Sequence, residues 1–191
     1  MSGPPVHVAG WDALAEQVRA CQACPELAQT RRSVVVGDAP DGARLLLVGE
    51  APGAAEDEAG RPFVGKAGQL LDALLDEAGL PREQVAVINV LRCRPPGNRA
   101  PKPAEVSACA HWREDQTALV GPVLTVALGM TATKALLGKV PSLAAMRGTV
   151  HERAGRRIVA TYHPSAAIRF GPAGAPMAAL RADLAWAVTL L

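Results

Sequence analysis

Aromatic residues are scarce in this chain: 191 residues include one Tyr, two Phe and three Trp. A core must therefore come from Leu, Val and Ala, and the length is enough to bury one. Long hydrophobic runs are also missing. Nothing approaches the ~20 apolar residues that cross a bilayer, so no membrane partner is expected. The N-terminus has no basic stretch leading into an apolar one, so no secretory leader is expected and a cytoplasmic location is. An excess of one charge is missing too. Twenty Lys and Arg face 18 Asp and Glu, for a net charge of +2, which by itself selects no partner. Placement says more. Arg92, Arg94, Arg99 and Lys102 gather in one stretch, and Arg147, Arg153, Arg156, Arg157 and Arg169 in another. Cysteine is limited to four residues, which in a reducing compartment read as ligands rather than disulfides.

Apolar residues make up 49% of the chain and are well spread, which fits one folded domain over 1–191, with 1–10 as a flexible leader. Leu45-Leu46-Leu47-Val48, Val85-Ala86-Val87-Ile88, Val123 to Leu128 and Ile158 to Thr161 are short continuous apolar runs. Strands buried on both faces read this way. Helical spacing lies around them, over 11–19, 67–78 (stopped by Gly79), 101–119 (opened by prolines), 131–137 and 177–191. The alternation predicts an α/β fold: a three-layer sandwich with a central four-stranded parallel sheet flanked by helices.

Each predicted strand ends in an unusual feature: Gly49-Glu50, Asn89, Gly129, and Tyr162-His163-Pro164-Ser165. Ligands of open parallel sheets sit at the carboxyl ends of the strands, so Glu50, Asn89 and His163 should converge. Singly, each has an ordinary structural use. Glu50 can cap the next helix, Asn89 can satisfy turn backbone, and a His before Pro can be purely structural. Their joint placement favours a site.

Cys21 and Cys24 form a C-x-x-C pair, Cys93 follows the second strand and Cys109 lies on the next predicted helix. Four thiolates can hold zinc or a [4Fe–4S] cluster, and C-x-x-C alone can be a redox pair. The wide split between Cys93 and Cys109 tilts the reading toward iron and sulfur.

Together these residues resemble the family-four, thermophile-type, iron–sulfur uracil-DNA glycosylases. The resemblance rests on Gly49-Glu50-Ala51-Pro52-Gly53, Glu56-Asp57, Gly60-Arg61-Pro62-Phe63-Val64-Gly65-Lys66-Ala67-Gly68, Asn89 to Arg99, Tyr162-His163-Pro164-Ser165 and the spacing of the cysteines, and it runs from about Cys21 to Asp183. It implies a [4Fe–4S] cluster on Cys21, Cys24, Cys93 and Cys109. It implies uracil held by the backbone at Glu50, Ala51 and Pro52, stacked on Phe63, read by Asn89 and faced at O2 by His163. It also implies that an acid of the first motif assists hydrolysis; Glu50, Glu56 and Asp57 stay open as that acid.

The expected function is hydrolysis of the N-glycosidic bond of a flipped deoxyuridine in single- or double-stranded DNA, by a monomer. Arg94, Arg99, Lys102, Ser165, Ile168 and Arg169 are the expected DNA contacts, with Ala166-Ala167 or Ile168 at the tip of a wedge. Two other readings remain. One is the superfamily branch that traps DNA through a His in an inserted basic loop, which this chain lacks. The other is a non-catalytic iron–sulfur or zinc DNA-binding module.

Overall fold

The computed structural model describes residues 9–191, so the leader expected at 1–10 lies outside the described residues up to position 8. The chain opens with α1 (Trp11–Arg19) and α2 (Pro25–Thr30) and enters the sheet at β1 (Leu45–Gly49). Helices α3 (Ala54–Ala59) and α4 (Lys66–Glu77) lead to β2 (Val85–Asn89), and α5 (Pro103–Ala108) and α6 (Ala110–Val120) lead to β3 (Leu124–Leu128). Then come α7 (Gly129–Leu137), α8 (Leu143–Met146), β4 (His151–Arg153), β5 (Arg156–Thr161), α9 (Pro164–Phe170) and α10 (Ala175–Thr189).

The sheet has five strands in the order β2-β1-β3-β5-β4. The four expected strands are all there and all parallel, with Leu45 opposite both Val85 and Leu124, and Thr125 opposite Ile158. The fifth, β4, was not expected. It is three polar residues long and pairs antiparallel to β5 at the sheet edge. Its His-Glu-Arg sequence has no apolar side chain to signal a strand, because an edge strand of this kind need not bury either face.

Alternation sorts each central strand between two cores. Leu45, Leu47, Val85, Val87, Leu124 and Val126 face α4, α9 and α10, joined there by Leu71, Leu74, Leu75, Leu180 and Leu184. Leu46, Val48, Ala86 and Ile88 face α1, α6 and α7, where Trp11, Val18, Val120 and Ala132 meet them. All five residues of β1 are buried. Each such side chain contributes about 1.5–3 kcal/mol by leaving water, and both layers of helices are thereby held to the sheet.

The short helices α2, α3 and α8 were not foreseen, and two further segments differ from the sequence expectation. The helix foreseen over 101–119 is two helices, broken at Cys109, whose backbone serves as the C-cap of α5 and the N-cap of α6. The segment after His163, read as a wedge loop, is the two-turn helix α9.

Candidate active site

In strand order, β1 lies between β2 and β3, although the chain makes β2 before β3. The chain therefore leaves β1 toward one side and later returns on the other, and a crevice opens at the carboxyl ends of β1 and β3. A cleft of about 510 Å³ occupies this place. Its lining includes Glu50, Ala51, Pro52, Phe63, Asn89, Thr131, His163, Ser165 and Arg169. The strand-end residues foreseen from sequence do come together.

The floor is set by one glycine. A methyl group on Gly49 would stand 2.6 Å from Cζ of Phe63 and would also strike Oδ1 of Asn89. Only a residue without a side chain lets the Phe63 ring and the Asn89 amide close over the end of β1. Phe63 itself has φ 54°, a left-handed backbone that bulky residues seldom adopt. Such strain persists where surroundings fix it and is concentrated at functional sites. Its carbonyl lies directly over Gly68 in α4, again with no room for a side chain.

Asn89 is 3% exposed, and its Oδ1 has no hydrogen-bond partner. A buried acceptor left without a donor costs about 1–3 kcal/mol. It is therefore set to receive a donor from whatever enters the cleft.

His163 N-caps α9. Its Nδ1 accepts the backbone N–H of Ser165 at 3.2 Å and lies 2.9 Å from the Ser165 hydroxyl. Because a backbone N–H can only donate, Nδ1 is the unprotonated nitrogen and Nε2 carries the hydrogen. Burial pushes the imidazole below its ordinary value, against an opposing pull from Glu50 and Glu56. A neutral ring with one free donor results. Its centroid is 5.8 Å from that of Phe63, with the planes inclined by 31°. Behind it, the Arg147 guanidinium stands over the Tyr162 ring, and is held by Asp183 at 2.6 and 3.0 Å.

The three candidate acids are placed differently. Glu50 lines the cleft, and its Oε2 accepts a hydrogen bond from the Thr131 hydroxyl at the start of α7. Glu56 also borders the cleft, but both of its oxygens are occupied, one by the N–H of Gly53 at 3.1 Å and the other by that of Gly65 at 2.8 Å. It staples the loop after β1 to the loop carrying Phe63. Asp57 is absent from the cleft lining; it is 2% exposed and accepts the backbone N–H groups of Arg32 and Ser33. Only Glu50 combines access to the cleft with a free oxygen.

The expected DNA contacts also separate. Arg99 donates to Glu105 at 2.6 and 3.0 Å and to Glu26 at 3.1 Å, and Lys102 reaches Glu26 at 2.5 Å. These two cations brace α2 against the loop before α5. Arg94 bonds Asn98 at 2.7 Å. Ser165, Ile168 and Arg169 lie together on α9 near the cleft mouth. Ile168 is 42% exposed, and Phe170, overlooked in the sequence, is 62% exposed beneath the Arg169 guanidinium. A second large exposed apolar residue at a helix end leaves no mark in a sequence with no period to violate. Thr131 was also overlooked, because 81 residues separate it from Glu50.

The four cysteines ring a separate small pocket with Leu27, Arg31, Leu91 and Trp112. Among the described residues no group of three or more His, Cys, Asp or Glu is gathered so as to hold a metal ion. Spread around a cavity, an all-sulfur donor set suits a cluster bound at its corners better than one tetrahedral zinc with four sulfurs at about 2.3 Å. One neighbour favours negative sulfur. Arg31 donates to Sγ of Cys93 at 3.0 Å and to the carbonyl of Cys21 at 2.7 Å. Burial, then the neighbouring thiols, push the Cys24 thiol up. Burial does the same at Cys93, opposed by Arg31. As free thiols these two keep their protons, and a metal must displace them.

Comparison with known proteins shows the family. The sequence model of the Uracil DNA glycosylase superfamily matches residues 36–185. The chain is 44% identical over 158 residues to the type-4 uracil-DNA glycosylase of Thermotoga maritima, covering 82% of each. It is 40% identical over 164 residues to the type-4 enzyme of Pyrobaculum aerophilum, covering 82% of this chain and 83% of that one. A type-5 uracil-DNA glycosylase of Thermus thermophilus is 36% identical over 190 residues, covering 81% of this chain and 86% of that one.

Proposed function

The chain belongs to the uracil DNA glycosylase superfamily, and on that premise we infer that it excises uracil from DNA, hydrolysing the N-glycosidic bond to leave free uracil and an abasic site. The observation that carries the residue assignments is the orphaned amide oxygen of Asn89 at the base of the cleft.

Uracil in a duplex must be flipped out, at a cost of a few kcal/mol, and the cleft supplies its new surroundings. Phe63 offers an apolar face for stacking. Asn89 Oδ1 accepts the uracil N3–H while its amide N–H donates to O4. Cytosine offers an amine where O4 would be and no N3–H, so both contacts would fail inside a buried site; polar pockets discriminate strongly in this way.

Bond cleavage places negative charge on uracil O2 and positive charge on the sugar. His163, neutral and protonated at Nε2, donates to the oxygen as its charge grows. Donors aimed at developing charge typically carry about 10²–10³ in rate. Glu50, its rotamer held by Thr131, supports the cationic sugar and orients the attacking water. Glu56 positions the two loops and takes no part in the chemistry. Arg94, Arg169 and Ser165 meet phosphates beside the cleft.

Cys21, Cys24, Cys93 and Cys109 would hold a [4Fe–4S] cluster, which supplies a rigid cross-link between the N-terminal segment and the chain after β2. Support comes from the all-thiol donor set around one pocket, the Arg31 donor and the likeness to the family-four enzymes. About four iron and four sulfide per chain are expected on analysis; zinc in their place overturns this assignment.

The test of function is incubation with a single-stranded oligonucleotide carrying one uracil. Free uracil and an alkali-labile site are expected. Binding without release would indicate a non-catalytic module, and a protein–DNA band that survives boiling in detergent would indicate the covalent branch.

A further inference from the structure

Arg92 lines the cysteine pocket and reaches the cleft through the backbone of Asn89. It is 1% exposed, and no carboxylate pairs with it among the described residues. Its Nε donates to Oε1 of Gln116 at 2.8 Å, and Gln116 in turn donates to the carbonyl of Val36 at 2.7 Å. Its Nη1 donates to the backbone carbonyl of Asn89, and its Nη2 has no partner. Its side chain lines the same small pocket as Cys93 and Cys109. A guanidinium is a cation at neutral pH.

A buried cation without a counter-charge is strongly unfavourable. Among the described residues no ion pair supplies one, and the pocket that Arg92 lines holds the four cysteines. Four thiolates around an iron–sulfur core carry net negative charge in either oxidation state. The other end of the guanidinium holds the peptide of the residue that reads the base. The chain around that peptide is otherwise fixed: Val90 donates to the carbonyl of Gly49 at 2.9 Å, Leu91 to that of Glu50 at 3.0 Å, and Val35 to that of Arg92 at 2.8 Å. The Asn89 carbonyl, at the end of β2, is the one left for Arg92.

We propose that Arg92 is a positioning residue that joins the two sites: its guanidinium is the buried counter-charge of the four-cysteine cluster and, by holding the Asn89 carbonyl, it sets the Asn89 amide for uracil. The inference rests on the reading of the cleft and of the cysteine site given above. It assigns the cluster a part in base discrimination without assigning it any chemistry, since charge and hydrogen bonds around a metal centre orient and tune what lies next to it.

Two variants of the intact protein test it. Arg92→Met removes the charge and both bonds. Arg92→Lys keeps the charge but cannot hold Gln116 and Asn89 together, and it guards against a Met variant that fails to fold. The readouts are iron retained against a chelator, the midpoint potential of the cluster, and kcat and KM for uracil and cytosine in single-stranded DNA. For Arg92→Met, faster iron loss and a lower potential are expected, because a cation near the cluster favours the more negative, reduced form. For Arg92→Lys, iron and potential near wild type are expected, with the preference for uracil over cytosine reduced at least tenfold. Wild-type potential, iron retention and base preference in both variants would overturn the proposal. Wild-type protein that releases uracil but carries no iron also overturns it, and leaves the glycosylase reading standing. Wild-type protein that carries iron but releases no uracil overturns the glycosylase reading, and the potential of Arg92→Met still decides the counter-charge.

Discussion

At the scale of single residues, surroundings separate side chains that the sequence leaves equivalent. Glu50, Glu56 and Asp57 are three acids within eight positions, and no pattern ranks them. Glu56 and Asp57 are each filled by two or more backbone N–H groups, and Glu50 keeps one oxygen toward the cleft. Glu50→Gln is therefore expected to lower kcat by about 10²–10⁴, the range of a lost acid–base group, with little change in thermal stability. Asp57→Asn should show the reverse, a loss of about 1–3 kcal/mol in unfolding free energy with kcat retained in the folded fraction. Steady-state kinetics and denaturant titration on the purified variants separate them, and equal losses of kcat would refute the division.

His163 carries a pH prediction. Its pKa is lowered in the fold from an ordinary 6.5, chiefly by burial. The unfolded chain thus takes up a proton at a pH where the folded chain does not. The stability contributed by this group is fully present above about pH 6.5 and is lost as pH falls through the folded value. Unfolding free energy measured from pH 8 to 5 should fall less steeply in His163→Gln than in the parent. Parallel curves would show that the ring is not held neutral.

Among elements, α9 departs furthest from what the sequence suggested. Pro164 fixes its first turn and His163 caps it through Ser165, so the segment presents a rigid edge instead of a loose loop. Ile168 and Phe170 project from that edge with Arg169 over the ring of Phe170. Exposed apolar side chains next to a base-flipping cleft suit a wedge between base pairs. An Ile168→Ala/Phe170→Ala double variant is expected to lose at least tenfold in kcat/KM on duplex uracil and little on single strands, because only the duplex requires unstacking. Equal losses on both substrates would place these residues in general DNA binding.

Legibility from sequence follows the same physics. The four parallel strands were readable because strands buried on both faces are continuous apolar runs. The strand β4 was not, because an edge pairing of His151, Glu152 and Arg153 relies on backbone bonds alone. The break at Cys109 was hidden because both halves keep helical spacing. Glu50, Asn89 and His163 were legible as a set from their strand-end positions. Thr131, Arg92 and Phe170 were not: the first two act through contacts with residues that only the fold brings close, and exposure has no sequence mark.

At the scale of the whole molecule, the sheet brings its strand ends to one cleft, and the cysteine pocket lies along the chain that leaves β2. Helix α2, the turn before it, the end of α5 and the start of α6 line that pocket, and the Glu26, Arg99, Lys102 and Glu105 ion pairs brace α2 against α5 and the loop before it. No described helix is long and apolar enough to cross a membrane. The central claim is that a cleft with one unpaired amide at its base reads uracil and releases it. It is tested most directly by measuring free base released from uracil- and cytosine-containing single strands by the parent and by Asn89→Asp. The account predicts uracil release by the parent and no cytosine release, with uracil release by the variant reduced about 100-fold or more, the scale on which an unpaired buried polar group rejects a substrate. An Asn89→Asp protein that releases uracil at the parent rate would contradict it.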